Sequence, residues 1–332
     1  MRHLSSQAAH GILWNNILTE DQMATVVAQQ VTAAKRGSMT GAYVALGAGM
    51  VCISWSAIFV RWTDIPGAAS AFYRLLIPAV VLVPTFFFGK HSIRQSSRVN
   101  AKTLLIVAGG GIFFALDLAF YNTSILRTSA ANATLLGNST PIAVGLLTWL
   151  IFGKRPAGAF WTGLLLAIVG SGVIFWGDFA RHTQLGAGDL MAVAAAVFFG
   201  VYLMATEKVR ATTSTLVFLR LAIFSSAVFL LFINLALGIS LRVPTVRSWL
   251  PLLGLGLVTQ LGGYLALTYA MGRLKATVTS IALLAQVPIT AVLAALLLHE
   301  PVGATQITGG ILVLMGVALA LRPAHPEEEA NV

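Results

Sequence analysis

The sequence predicts an all-α membrane protein of ten transmembrane helices, arranged as two five-helix repeats inserted in opposite senses with both termini cytoplasmic. Three observations carry that reading. The 332-residue chain is 57% hydrophobic and only 10% charged, with a mean hydropathy of +0.85. Soluble domains are about 45–50% apolar and about 25% charged, so the solvent here must be lipid. Ten apolar runs follow one another, each near the ~20 residues that a membrane helix needs. Finally, the second half repeats the first. FYNTSILRTSAANATLLGNSTP at 120–141 recurs in degraded form as LTYAMGRLKATVTSIALLAQVP at 267–288, setting Pro141 against Pro288, and FYRLLI at 72–77 matches FLRLAI at 218–223. Five helices per repeat is an odd number, so the second repeat enters the membrane inverted, a plan that places a binding site where the halves meet.

Residues 1–38 are polar, with a capping box from Thr19 to Gln22 opening a weak helix toward Lys35. They lack the apolar core of a secretory signal, and Glu20 and Asp21 argue against a transit peptide. They read as a cytoplasmic tail, with Met39 an alternative start. The apolar runs lie at 41–62, 67–89, 103–125, 128–152, 158–177, 188–207, 214–238, 249–271, 277–298 and 304–322. Breakers separate them, among them Asp64-Ile65-Pro66-Gly67, Gly153-Lys154-Arg155-Pro156 and Glu300-Pro301. The repeats therefore span 39–178 and 186–322, and an acidic tail, 323–332, closes the chain.

The +10 net charge is a topology signal. With the N-terminus inside, the inner segments hold fourteen Lys and Arg residues: Arg2, Lys35, Arg36, Lys90, Arg94, Arg98, Lys102, Lys154, Arg155, Lys208, Arg210, Arg273, Lys275 and Arg322. The outer segments hold five: Arg61, Arg127, Arg181, Arg242 and Arg247. Arg74 and Arg220 fall within helices. No basic face on a soluble domain exists to take nucleic acid. Cys52 is the single cysteine, so no intrachain disulfide forms, and the six histidines have no metal-ligand spacing. Neither a metal nor a cofactor is expected, and no P-loop, HExxH or GxSxG context suggests an enzyme.

Ten helices in two repeats, AFYR at 71–74 opening helix 2, and a small-residue turn followed by a proline in helices 4 and 9 resemble the drug/metabolite transporter superfamily, in particular its EamA-type exporters. The resemblance covers roughly residues 41–322. It implies a central cavity lined by helices 1, 3, 4, 6, 8 and 9, with helices 5 and 10 peripheral, and transport of amino acids, nucleobases or other small metabolites. An acidic residue often follows helices 4 and 9 in the family. Glu300 supplies it in the second half, whereas Lys154-Arg155 stands there in the first.

Several side chains could carry the chemistry. Pro141 and Pro288 each remove a helical hydrogen bond and are expected to kink their helices, freeing the carbonyls of Gly137 and Leu284 toward a watered cavity or merely shaping packing. Polar groups beside the kinks, Asn138, Ser139 and Gln286, join Trp55, Ser56, Tyr121, Phe199, Tyr202, Gln260 and Tyr264 as candidate cavity residues, apolar walls with a few polar handles. Trp62, Trp149, Trp176 and Trp249, near helix ends, fit an interfacial belt. Asp117 is the one acid deep within a helix, and Arg74 lies at the same depth. They form either a charge-neutralising pair, the preferred reading, or a proton or substrate site. Arg220 is the inverted counterpart of Arg74. It would pair with Glu207, snorkel to the inner interface, or hold a substrate carboxylate. Gly163, Gly170, Gly309 and Gly316 recur at heptad spacing and read as packing surfaces, within the chain or between two copies.

The function these features imply is secondary transport in the bacterial inner membrane, exporting a small amphipathic metabolite such as an amino acid by alternating access around a midplane cavity. A flippase of a lipid-linked sugar is the alternative within the class. A membrane-embedded sensor or enzyme is the alternative outside it.

Overall fold

A computed structural model describes residues 39–85, 101–128, 133, 136–153, 156, 158–174, 176, 186–298 and 304–321. The two tails, Lys154-Arg155 and Glu300 lie outside the described residues. The chain divides into a short N-terminal unit ending at Val44, described only for its last six residues, which are helical, and a body from Ala45 onward.

Among the described residues every regular element is a helix. In order they are α1 (Met39–Trp62), α2 (Gly67–Leu82), α3 (Ala101–Arg127), α4 (Thr140–Phe152), α5 (Gly158–Ile174), α6 (Ala187–Arg210), α7 (Thr215–Ala236), α8 (Val246–Ala270), α9 (Ala276–Leu297) and α10 (Ala304–Ala320). Six of them, α1, α3, α6, α7, α8 and α9, are long and apolar enough to cross a membrane, and α2, α4, α5 and α10 are shorter apolar helices. Helix is what lipid demands, because it satisfies every backbone group within one segment. Large apolar side chains cover the outside: Leu105, Leu150 and Leu296 are all at least two-thirds exposed, which water would penalise and lipid does not. Trp62, Trp149, Trp176 and Trp249 are also exposed, toward helix ends.

The packing beneath that surface uses small residues and buried polar pins. Helix α3 packs on α6 and α7, α2 on α7, α3 and α8, and α5 on α10. Asn122 of α3 donates to Ser70 Oγ (2.9 Å) and Gly67 O (3.3 Å) of α2. Asn234 of α7 donates to Ala68 O of α2 at 3.2 Å, and Ser226 Oγ donates to Gly111 O of α3 at 2.6 Å. Interhelical bonds of this kind contribute about 0.6 kcal/mol each in membranes. Glycine permits the closest approaches. A Cβ on Gly163 would stand 2.6 Å from Gly316 O, and one on Gly170 would stand 2.7 Å from Gly309 O. All four glycines are buried in this crossing of α5 over α10. They are taken up by packing within the chain, the first of the two readings the sequence offered.

Helix α8 departs from α geometry for ten residues, Gly254–Gly263, where the turn widens to π. Its glycines admit neighbours: a Cβ on Gly256 would meet Ile77 at 2.6 Å, and one on Gly263 would meet Ile53 at 2.8 Å. Such widened turns gather at functional sites, and this one carries Gln260 and ends against Tyr264.

Candidate functional site

The two prolines mark helix breaks instead of mid-helix kinks. Asn138 and Ser139 form a turn, and α4 starts at Thr140, so Pro141 sits in the first turn, where its missing N–H is unneeded. The Gly137 carbonyl expected to be free accepts from Thr140 Oγ1 at 3.1 Å. In α9 a 3-10 turn, Leu283–Ala285, precedes a fresh α segment starting at Gln286, with Pro288 again in its first turn. The interrupted helices meet. Gln286 Nε2 donates to Asn138 Oδ1 at 3.0 Å, tying one break to the other.

Around this junction lies a cavity of about 100 Å³. Its wall takes Ile53, Ser54, Ser56 and Ala57 from α1, Arg74 from α2, Asp117, Leu118 and Tyr121 from α3, and Gly137 and Asn138 from the first break. Phe199 of α6, Tyr264 of α8, and Leu283, Gln286, Val287 and Thr290 of α9 complete it. Along α1, α3 and α9 the lining recurs at spacings of three and four, as in Ile53/Ser56/Ala57, Asp117/Tyr121 and Leu283/Gln286/Thr290, one face of each helix turned inward. Among the described residues none of α5 or α10 contributes. Ser54 Oγ donates to Met50 O at 2.7 Å and, more weakly, to Gln286 O at 3.4 Å. Thr290 Oγ1 donates to Ser54 O at 3.1 Å, holding α9 to α1.

Six of the ten expected cavity residues line it: Ser56, Tyr121, Asn138, Phe199, Tyr264 and Gln286. The other four stand behind or aside. Trp55 is stacked on Phe59 with centroids 5.6 Å apart. Ser139 turns its hydroxyl to Leu136 O at 2.6 Å, compensating the helix break. Tyr202 is buried in an aromatic stack, 4.5 Å from Phe114, that backs Phe199 and Tyr264. Gln260 is fully buried and serves as the acceptor for Arg74 Nε at 2.9 Å. Thr290 escaped sequence reasoning, although it lies one turn beyond Gln286 on the same face of α9.

The charged residues divide. Arg74 and Asp117 share the cavity, yet the guanidinium is bonded elsewhere. Nε goes to Gln260, Nη1 donates to Ser56 Oγ at 2.8 Å, and the group lies 5.6 Å from the centroid of the Tyr264 ring. No direct contact within 4.0 Å closes the expected Arg74–Asp117 pair among the described residues, although the Arg74 charge acts on the Asp117 carboxyl across the cavity. Arg220 lies outside the cavity, its Nη1 donating to Thr85 O beyond α2 at 2.9 Å. Its expected partner Glu207 instead accepts the Ala276 N–H at 2.7 Å, satisfying one orphan donor at the start of α9.

Comparison with known proteins fits this arrangement. A family model described as the EamA-like transporter family matches residues 39–176 and again 186–322. The chain is 26% identical over 297 residues to the "Uncharacterized transporter YetK" of Bacillus subtilis, covering 82% of this chain and 86% of that one. It is 30% identical over 202 residues to a "Probable terminal-alkyne amino-acid exporter" of Streptantibioticus cattleyicolor, covering 60% and 67%. It is 26% identical over 255 residues to the "Pseudopaline exporter CntI" of Pseudomonas aeruginosa, covering 76% and 84%. One solved crystal structure shares the fold at a TM-score of 0.68 and 19% identity, covering 85% of this chain and 97% of that one. With apolar helices throughout, a lipid-facing exterior and a family match over both halves, the chain is a multi-pass membrane protein and belongs to the EamA-like transporter family.

Proposed function

We propose that the protein is a secondary transporter of the bacterial inner membrane that exports a small amphipathic metabolite, such as an amino acid. Ten helices in two inverted five-helix repeats, 39–178 and 186–322, rock around the central cavity, with both ends in the cytoplasm. The observation that carries this reading is the Asn138–Gln286 bond, which joins the interrupted helix of one half to that of the other at the cavity wall. Broken helices meeting at a polar cavity are how inverted-repeat carriers build a midplane site that each side of the membrane reaches in turn. Relatives named as exporters, one of them of an amino acid, support the direction and the class of cargo. No Walker motif is present to couple ATP, so the driving force is a solute or ion gradient.

The test is a comparison of intracellular and extracellular small-molecule pools in cells lacking and overproducing the protein. Export predicts at least one metabolite that accumulates inside on deletion and outside on overproduction, and that then shows counterflow in proteoliposomes. Identical pools in both strains would overturn the reading.

A further inference from the structure

The cavity is closed far more tightly on one side than on the other. Toward the α8–α9 connection, cytoplasmic in the transport reading above, aromatic rings fill the space beneath Phe199 and Tyr264. Phe114 of α3 stacks on Tyr202 of α6 at 4.5 Å, and Phe218 of α7 lies 6.3 Å from Tyr202. These three rings are at most 2% exposed, and so are Thr206 of α6 and Thr268 of α8, one turn beyond Tyr202 and Tyr264. The Tyr202 hydroxyl interacts with both threonines, one from each helix. By contrast, the wall residues Ser56 and Ala57 of α1, Tyr121 of α3 and Thr290 of α9 are only half-buried.

Below the cavity, side chains and little else close the seam between α6 and α8. Helix α6 packs closely along α3, and α8 packs on α2 and α7, but among the described residues the backbones of α6 and α8 scarcely approach each other. Ring contacts cross the seam at 6.4 Å from Phe199 to Tyr264 and at 6.5 Å from Tyr202 to Tyr264. At its inner end the last turn of α6 supplies two ties. Glu207 Oε2 accepts the Ala276 N–H at 2.7 Å, while Arg210 Nε donates to Thr268 O at 2.9 Å and Nη1 to Thr213 O. Three residues apart, these side chains share one face of α6 and hold both flanks of the α8–α9 connection. Their charges suit what they hold, the carboxylate at the start of α9 and the guanidinium near the end of α8. Gly272 leaves room for the second tie, since a Cβ there would stand 2.6 Å from Arg210 Nη2.

Resting on the transport reading, we propose that Glu207 and Arg210 are the latch of the cytoplasmic gate. They hold the α6–α8 seam shut beneath the aromatic rings, and their release lets water reach the cavity from the cytoplasm. Opening this seam breaks a few side-chain contacts and leaves the packing of α6 on α3 and of α8 on α2 intact. A gate built this way can move without unfolding any helix pair.

The experiment follows the reaction of one cysteine, Thr206→Cys, with a membrane-impermeant maleimide in the full-length chain carrying Cys52→Ser. Inverted and right-side-out membrane vesicles present the two faces separately. With the latch intact, labelling should be slow from either face. Glu207→Ala and Arg210→Ala should each raise the cytoplasmic rate by about tenfold, the equivalent of losing about 1.4 kcal/mol of charge-assisted bonding, and leave the periplasmic rate unchanged. Gly272→Ala, which displaces the guanidinium without removing its charge, should shift the rate in the same direction. Glu207→Gln keeps an oxygen for the Ala276 N–H and should label within about threefold of the parent. Lys208→Ala, at an exposed position between the two ties, should leave the rate unchanged. A separate reporter, Ser171→Cys, buried where α5 crosses α10, should stay unlabelled in every variant. Unchanged labelling in the latch variants would overturn the proposal. So would a gain shared by the periplasmic face or by Ser171→Cys, which would mean general loosening. The labelling needs no substrate, so its failure would leave export to be decided by the pool comparison.

Discussion

Substituting Gly170 by alanine should loosen the α5–α10 crossing, whereas the same change at Gly172, two residues along the same helix, should not. A Cβ at Gly170 would stand 2.6 Å from Val313 N, 2.7 Å from Gly309 O and 2.8 Å from Leu312 Cβ. Two of those atoms belong to the backbone of α10 and cannot rotate away. Ordinary van der Waals contact begins near 3.4 Å, so α10 must retreat by ~0.8 Å or the helices must shear, forfeiting dispersion along the crossing. Overpacking of this kind costs about 1–3 kcal/mol, against a gain in helix propensity of about 0.8–1 kcal/mol for removing a glycine. The net expectation for Gly170→Ala is a loss of up to about 2 kcal/mol. At Gly172 nothing lies within 4 Å of the added carbon, so only the propensity gain remains. Thermal unfolding of both variants in one detergent, read by the loss of the monodisperse peak in size exclusion, separates the cases. A midpoint for Gly170→Ala at or above that of Gly172→Ala would refute the packing argument.

Other consequences can be checked in the same preparation. Arg74→Leu should destabilise the protein by about 1–3 kcal/mol, because it strips the buried Gln260 amide of its partner. Asp117→Asn, whose carboxylate is bonded to nothing among the described residues, should melt like the parent while losing counterflow; a large stability loss there would restore the structural ion pair. Asn138→Ala and Gln286→Ala should each slow transport, and the double variant should cost less than the sum of the singles, since both delete one bond. Glu207→Ala should cost about 1 kcal/mol by uncapping the start of α9, measurable as a lowered melting midpoint. A reporter active only in the cytoplasm should work when fused after Arg98, Arg155 or Lys275 and fail after Arg181 or Arg247. The reverse pattern would rule out the inverted arrangement.

What the sequence determines here follows from lipid as solvent. Apolar runs of membrane length must become helices, since nothing else satisfies the backbone, and among the described residues the apolar runs are helical. The repeat of prolines is equally legible, and it leads to the junction where Asn138 and Gln286 meet. Which way each side chain faces was decided only by the tertiary structure. A membrane helix is apolar on every side, so no amphipathic stripe tells Tyr264, in the wall, from Tyr202, in the stack behind it. Gln260 and Ser56 looked alike as polar handles, and both came to anchor Arg74, but packing buried the first behind it and left the second at the cavity surface. The same holds for Arg220. Its depth suggested Glu207 as a partner, but the segment just beyond α2 brings the Thr85 carbonyl within reach, while Glu207 turns to the orphan N–H of Ala276 at the start of α9. Composition and spacing fix how far along a helix a group lies, and only the crossing of helices fixes what it meets at that depth.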